Sequence, residues 1–312
     1  MKNEKPTNVA ASVRARLTNF SRDHGEEFQL VLTRYAIERF LYRLSVSEHG
    51  SAFILKGAML FQLWADVPHR ATRDLDLLGT GDSSLDRLTG VVRAVCTAPV
   101  PDDGLTFDPD TVTADRIRED QEYEGVRVTC LARLGQARIP LQIDVGFGDA
   151  VTPAPAEVRY PTLLDYPAPV LTAYPRATVI AEKFQAIVAL GFANSRMKDF
   201  FDLFVLRGRF EFSGPEITRA IRATFRRRQT PIPSEPPLGV TPAFGADVTK
   251  KRQWEAFLRK GRLDAPAATL EEVCAALDQF LMPPARAAAE GKDFPLTWPA
   301  GGPWQNLPLR SR

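Results

Sequence analysis

The sequence predicts an α+β fold, with a mixed sheet in the first half of the chain and helices in the second. Three observations carry this. Residues 28–45, FQLVLTRYAIERFLYRLS, place Phe28, Val31, Leu32, Tyr35, Ile37, Phe40, Leu41 and Leu44 near a 3.6-residue period. Residues 51–150 break into short apolar or alternating runs of the kind that form strands. From Pro175 onward, long periodic segments take over.

Residues 1–50 read as helical, and Arg34, Glu38, Arg39 and Arg43 fall between the apolar positions, as on an amphipathic helix packed against a core. FILKG is a short strand stopped by Gly57, and MLFQLW reads as a helix. RDLDLLG alternates with period two and reads as a strand. Residues 101–120 are acidic and contain Pro101 and Pro109, which suggests a loop before a helix. VRVTCLARL and IPLQIDVGFGD read as two strands joined by a polar turn at Gly135-Gln136. The proline-rich residues 151–172 read as an ordered connector. Helices are then expected over TVIAEKFQAIVALGF and RMKDFFDLFVLRGRF, and around 215–228, 247–262 and 270–289.

Bulk properties exclude several classes. The chain has 312 residues, 44% hydrophobic and 25% charged, enough for a sizeable core in one large domain or two moderate ones. No run reaches the ~18 apolar residues of a membrane helix, so no membrane partner is expected. The first residues lack the apolar stretch of a secretory signal. Cys96, Cys130 and Cys274 are far apart and form no CxxC, which fits a reducing cytoplasm. His24, His49 and His69 form no ligand pair, so structural zinc is not expected. The net charge is only +2, but residues 207–262 hold thirteen Lys or Arg against five Asp or Glu. Arg226, Arg227, Arg228, Lys250, Lys251 and Arg252 stand out there as candidate contacts to a nucleic-acid backbone.

Chemistry concentrates on three carboxylates. Asp74 and Asp76 are two apart on a strand and so share a face, while Leu75 and Leu77 point to the other. Two carboxylates so close ionise together only beside a cation, and Mg²⁺ takes its oxygen ligands from one or two carboxylates plus substrate phosphate. Asp144 sits between Ile143 and Val145, where a carboxylate is costly unless paired or metal-bound. A neighbouring strand would bring it to the Asp74/Asp76 pair. Lys56-Gly57-Ala58 precedes the next helix, and small residues there let backbone N–H groups approach a phosphate.

LKGAMLFQLW, PHRATRDLDLLG, IDVGFGD, AEKF and RMKDFFDL, in that order, resemble the AbiEii/AbiGii nucleotidyltransferase-toxin family over roughly residues 28–206. The resemblance implies a polymerase-β-like nucleotidyltransferase core at 1–172, N-terminal helices included, and a helical domain at 173–312 closing the active-site cleft. It implies a phosphate-binding turn at Gly57 and metal-binding aspartates at Asp74 and Asp76. Arg70 and Thr72 match the R-x-T/S-x-D-x-D pattern. Further family blocks place an acidic residue at Asp144, a lysine at Lys183 and a K-D-x-x-D pattern at Asp199 and Asp202. Ala58 departs from the Gly or Ser of many relatives, so a hydroxyl contact to phosphate is missing.

The activity expected on this basis is Mg²⁺- or Mn²⁺-dependent transfer of a nucleotide from an NTP to an acceptor hydroxyl, with release of pyrophosphate. Asp74, Asp76 and Asp144 are the expected metal ligands. Lys183, with Arg73 or Lys56, is expected to offset the triphosphate charge, while Asp199 and Asp202 are left between catalytic and salt-bridge roles. Some relatives modify the acceptor end of tRNA, so an RNA acceptor and a cognate antitoxin from an adjacent gene are expected in a toxin–antitoxin or phage-defence pair. Small-molecule or protein hydroxyls, or non-catalytic GTP binding, are the alternatives. Thr72, two residues before Asp74, is a candidate phosphorylation site.

Overall fold

A computed structural model describes residues 8–64, 72–119, 123–261, 263 and 268–306. The chain folds into two compact units, one of Met1–Gly148 and Ala156–Ala173, the other of Asp149–Pro155 and Tyr174–Arg312.

The first unit opens with helices α1 (Val9–His24) and α2 (Phe28–Val46), then β1 (Phe53–Lys56), the short α3 (Leu60–Trp64) and β2 (Asp74–Gly79). Helix α4 (Leu85–Cys96) precedes β3 (Leu105–Glu119), β4 (Tyr123–Leu134) and β5 (Ala137–Phe147), and β6 (Ala156–Arg159) and β7 (Val170–Ala173) complete it. The seven strands form one mixed sheet in the order β3-β4-β5-β2-β1-β7-β6. β2 runs parallel to β5 and β1 to β7.

Two rows of side chains explain the sheet. Leu55, Leu77, Val145 and Val126 are direct cross-strand neighbours on β1, β2, β5 and β4, and all are buried. Helix α2 packs on β5 and α4 on β3. The alternate positions of those strands carry polar residues, and that face holds the candidate site.

The mixed α+β architecture is the one expected, but three local expectations fail. Residues 101–119 are not a loop leading to a helix; Leu105–Glu119 is the longest strand of the sheet among the described residues. Leu105, Phe107 and Val112 are buried. Pro109 misled the pattern because it occupies an irregularity between Asp108 and Thr113, where the ladder needs no N–H from it. There Thr111 Oγ1 donates to the Asp108 carbonyl and accepts from Leu131 N, at 2.7 and 3.0 Å. The connector at 151–172 also contains strands, since β6 and β7 extend the sheet at one edge.

The third concerns α2, which is not amphipathic in effect. Glu38, Arg39 and Arg43 are buried along with its apolar residues. Arg43 forms a two-pronged ion pair with Asp103 at 2.6 and 3.0 Å. Arg39 donates to the Pro167 carbonyl at 2.7 Å, and Glu38 accepts from Leu163 N at 2.7 Å. Arg39 Nε lies 3.1 Å from Glu38 Oε1 but makes no hydrogen bond. Burial pushes the Glu38 carboxyl up to about 7 despite the partial offset by Arg39 and the Leu163 N–H.

The second unit contains α5 (Arg176–Leu190), α6 (Met197–Arg209), β8 (Phe212–Ser213), α7 (Gly214–Arg227), α8 (Pro242–Ala246), α9 (Val248–Gly261), α10 (Leu270–Ala289), β9 (Leu296–Trp298) and β10 (Gln305–Asn306). Helix α10 packs on α6, α7 and α8, and α5 packs on α6 and α7. Phe184, Phe200, Phe225 and Phe280 are wholly buried among them. A three-stranded sheet, β10-β9-β8, was not anticipated in this helical half. Among the described residues no helix is long and apolar enough to cross a membrane.

Candidate functional site

β1 ends at Lys56, and the chain turns at Gly57 with φ +72°, a conformation that glycine adopts without strain. Space imposes the same choice. A Cβ on Gly57 would overlap the Asp76 carboxylate and lie 2.6 Å from its Cγ. The turn and the aspartate are therefore fitted to each other, so that Asp76 lies directly against the backbone of Gly57. Ala58 comes next, buried.

Register extends this contact into a row. Lys56 pairs with Asp76, Asp76 with Asp144, Asp144 with Arg127 and Arg127 with Asp115, across β1, β2, β5, β4 and β3. Direct cross-strand neighbours share a face. One step along, Asp74 pairs with Gln142. Asp74 is exposed, Asp76 is half-buried and Asp144 is buried. The row is most buried at its centre, at Asp144, and carries alternating blocks of charge.

Asp144 is heavily engaged. Arg127 donates from Nε to Oδ1 and from Nη2 to Oδ2, both at 2.8 Å, and Gln142 Nε2 donates to Oδ2 at 3.2 Å. This resolves the cost of a carboxylate between Ile143 and Val145: it is paired with a guanidinium. Arg127 and Gln142 were not anticipated from sequence. Among the described residues no three His, Cys, Asp or Glu side chains are grouped to hold a metal ion. Asp74 and Asp76 offer hard oxygen donors on one face, with the Asp76 carboxylate seated against Gly57. That donor set fits a divalent ion. Asp144 is in register to join it, but Arg127 occupies its carboxylate.

The other residues of the DxD block divide. Thr72 precedes β2, and its hydroxyl exchanges weak hydrogen bonds with the Asp74 backbone at 3.3 and 3.4 Å. Arg73 is exposed, 3.9 Å from Glu27. Arg70 lies outside the described residues.

Lys183, Asp199 and Asp202 come together in the second unit. Lys183 Nζ on α5 lies 2.7 Å from Asp199 Oδ1 and 2.8 Å from Asp202 Oδ2 on α6. Arg196 Nε closes the cluster at 2.8 Å from Asp199 Oδ2. Both aspartates are fully buried, and Lys183 is only 15% exposed. Burial pushes the Asp199 carboxyl up, but Lys183 and Arg196 together outweigh it and hold it below the usual carboxylate range. The cluster is a charge-balanced clamp between two helices.

The basic segment also divides on inspection. Lys250 is not a surface cation. It is buried, donates to the Asn194 carbonyl at 3.0 Å and lies over the Phe192 and Phe244 rings. Arg228 is largely buried and is tied to Asp149, Glu182 and Gln185. Lys251 pairs with Glu271. Arg226, Arg227 and Arg252 are exposed.

The sequence matches the family model described as nucleotidyl transferase AbiEii toxin, type IV TA system, over residues 39–282, about three-quarters of the chain. No curated protein matches it. Among solved structures, JHP933 from Helicobacter pylori aligns with 14% identity and a TM-score of 0.48, covering 85% of this chain and 94% of that one. A second H. pylori protein, provisionally described as a nucleotidyltransferase, aligns with 13% identity and a TM-score of 0.49, covering 85% and 96%. Both likenesses are distant, and the assignment rests on the family match alone. That match spans the Gly57 turn, the aspartates of β2 and β5 and the clamp on α5 and α6, so the chain belongs to the AbiEii nucleotidyltransferase toxin family of type IV toxin–antitoxin systems.

Proposed function

We propose that the chain transfers a nucleoside monophosphate from an NTP to a hydroxyl of an RNA acceptor, such as the 3′ end of tRNA, with Mg²⁺ or Mn²⁺ held by Asp74 and Asp76. The observation that carries this is the fit of the Asp76 carboxylate into the space left by the missing Cβ of Gly57. A carboxylate packed on a phosphate-accessible turn brings a cation ligand and backbone donors to one point. When bound, the divalent ion offsets triphosphate charge and makes the acceptor hydroxyl easier to deprotonate.

The chain's own groups do the positioning. Backbone N–H groups at Gly57 and Ala58 receive phosphate oxygens, and Lys56 adds a positive charge in register with Asp76. Asp144, in register with Asp76, would take the acceptor proton or join the ion's ligands. The work is mostly orientation and electrostatics, as in phosphoryl transfer generally. Lys183, Asp199 and Asp202 support the fold through their clamp, and the ammonium is the group among them with some exposure to offer a phosphate. Of the six candidate cations, Arg226, Arg227 and Arg252 are exposed and suited to an RNA backbone.

Membership in a type IV system implies a cognate antitoxin. A phosphate on Thr72 would stand beside Asp74, where its ~2 negative charges repel an incoming triphosphate. Such a modification would silence the enzyme without occluding it.

The test is incubation of total RNA with each labelled NTP and Mg²⁺, using the wild type and Asp76→Asn. Label in one RNA size class, absent with the variant, is the expected result. Label in protein or small-molecule fractions would move the acceptor to those classes. Equal labelling by both forms would overturn the assignment of Asp76.

A further inference from the structure

The cross-strand row contains a pair that the family pattern does not require. Arg127 grips Asp144 with two 2.8 Å hydrogen bonds, and Gln142 adds a third. A carboxylate has about four acceptor positions. Three of those of Asp144 are therefore taken, two of them on Oδ2. The neighbouring carboxylate in the same row, Asp76, sits against Gly57. Asp144 is thus in register for a shared cation and at the same time held by a competing one.

Arg127 also has somewhere to go. Its side chain is 40% exposed, against 11% for Asp144. On its other side in the row lies Asp115 of β3, an exposed carboxylate on the same face. A guanidinium between two carboxylates can leave one for the other without losing a charged partner.

We infer that Arg127 is a positioning residue that occupies Asp144 until a divalent cation displaces it, so that Asp144 joins the cation only as Arg127 withdraws toward Asp115. This rests on the proposed metal role of Asp74 and Asp76. Its consequence is a weak affinity for free metal. The cation must displace a two-pronged ion pair to gain its third carboxylate. The negative triphosphate that accompanies the metal favours the exchange by offering the released guanidinium a further anion. Arg127 thereby makes metal capture depend on substrate.

The experiment measures Mn²⁺ binding in the absence of nucleotide, by the paramagnetic resonance signal of free Mn²⁺, with folding followed by circular dichroism. Arg127→Met is expected to tighten Mn²⁺ binding by about tenfold, the equivalent of one good ion pair. Removing any positive charge near Asp74 and Asp76 attracts cations, so two controls isolate the specific grip. Arg127→Lys keeps the charge but lacks the fork and should still tighten binding about threefold or more. In an Asp144→Asn background, Arg127→Met should then change the affinity little. Unchanged affinity in folded Arg127→Met, wild-type affinity in Arg127→Lys, or full tightening that survives Asp144→Asn each overturns the inference. If Arg127→Met does not fold, Arg127→Lys carries the test by itself. Asp76→Asn distinguishes the layers: if it leaves Mn²⁺ binding intact, the metal site itself is misplaced. If it abolishes binding while the Arg127 variants do nothing, only the role of Arg127 falls.

Discussion

Two clusters built from the same residue types behave as opposites. In the first unit, Lys56, Asp76, Asp144 and Arg127 lie in one row on a sheet face, half-buried except for the buried Asp144. In the second unit, Lys183, Arg196, Asp199 and Asp202 close on one another between two helices, with both carboxylates inaccessible. The row can exchange partners with solvent, substrate or a cation. The two aspartates of the clamp are closed to such exchange, because both are buried and would be left stranded by it, while Lys183 and Arg196 keep some exposure. Residues that the family pattern presents as equals therefore divide into a partly accessible row on a sheet face and a cluster whose two carboxylates are buried between helices.

The largest expected effect tests the row. Asp76→Asn removes a charge with almost no change of volume, so it should lower nucleotide transfer by about 10³-fold or more, some 4 kcal/mol of transition-state stabilisation. Thermal unfolding should stay near the wild-type midpoint, because Asp76 is half-buried and not part of the core. A large fall in stability would place Asp76 with the clamp and erase the distinction.

Lys183→Met tests the other side. It takes the ammonium from two fully buried carboxylates, leaving Asp199 with Arg196, and truncating one partner of a buried ion pair costs about 3–5 kcal/mol. Urea unfolding should show that loss directly. The control is Lys183→Met with both Asp199→Asn and Asp202→Asn, which removes the stranded charges and should recover much of the stability. If Lys183→Met unfolds like the wild type yet cannot transfer, the lysine is a substrate ligand first, and the clamp is incidental.

How much of this was legible in the sequence depends on the distance between partners. The DxD pair declares itself by strand period alone. The Arg127–Asp144 pair was also within reach. A two-residue turn at Gly135-Gln136 makes Leu134 and Ala137 partners, and counting outward from it sets Arg127 opposite Asp144. The reason Asp144 tolerates its apolar neighbours was thus encoded one hairpin away. The contact of Asp76 with Gly57 was not, because β1 and β2 are joined by a segment whose length fixes no register. Nor were the buried charges of α2. Glu38 and Arg39 are matched by backbone groups at 163 and 167, and nothing local announces such partners. The same limit hid the clamp, which takes Lys183 from one helix and Asp199 and Asp202 from the next. The strand at 105–119 was missed for a different reason: proline and aspartates marked an irregularity inside a strand, and the local signal resembles that of a loop.

Glu38 extends the comparison to a sealed carboxylate without a good hydrogen-bonded cation. Its folded value is raised from 4.5 to about 7 by burial. Between those values the folded chain keeps a proton that the unfolded chain releases. Stability from this group is therefore complete below about pH 4.5, falls as pH rises, and is lost above about 7. The full span is about 3 kcal/mol. Glu38→Gln should flatten that slope in urea unfolding measured from pH 4.5 to 8, whereas Asp76→Asn should leave it unchanged. A slope that persists in Glu38→Gln assigns the pH dependence to other groups.

The smallest effect concerns RNA, and it divides the basic segment as burial does. Arg226, Arg227 and Arg252 are exposed, and each phosphate contact they make releases condensed counterions. Replacing all three with Ala should weaken RNA binding and reduce the slope of log K against log salt by about 2. Lys250 is the contrasting case. Its ammonium is inside, bonded to the Asn194 carbonyl and stacked over two aromatic rings, so it releases no counterion on binding. Lys250→Met should leave the salt slope unchanged and act on stability, since it leaves a buried carbonyl without its donor. Arg228 should behave like Lys250, because Asp149, Glu182 and Gln185 hold it. If Lys250→Met reduces the slope as much as the triple variant does, burial does not sort these cations, and the segment contacts RNA through a surface that opens on binding. If neither variant changes it, the acceptor is held elsewhere, and the positive charge of 207–262 is a solvated helical face.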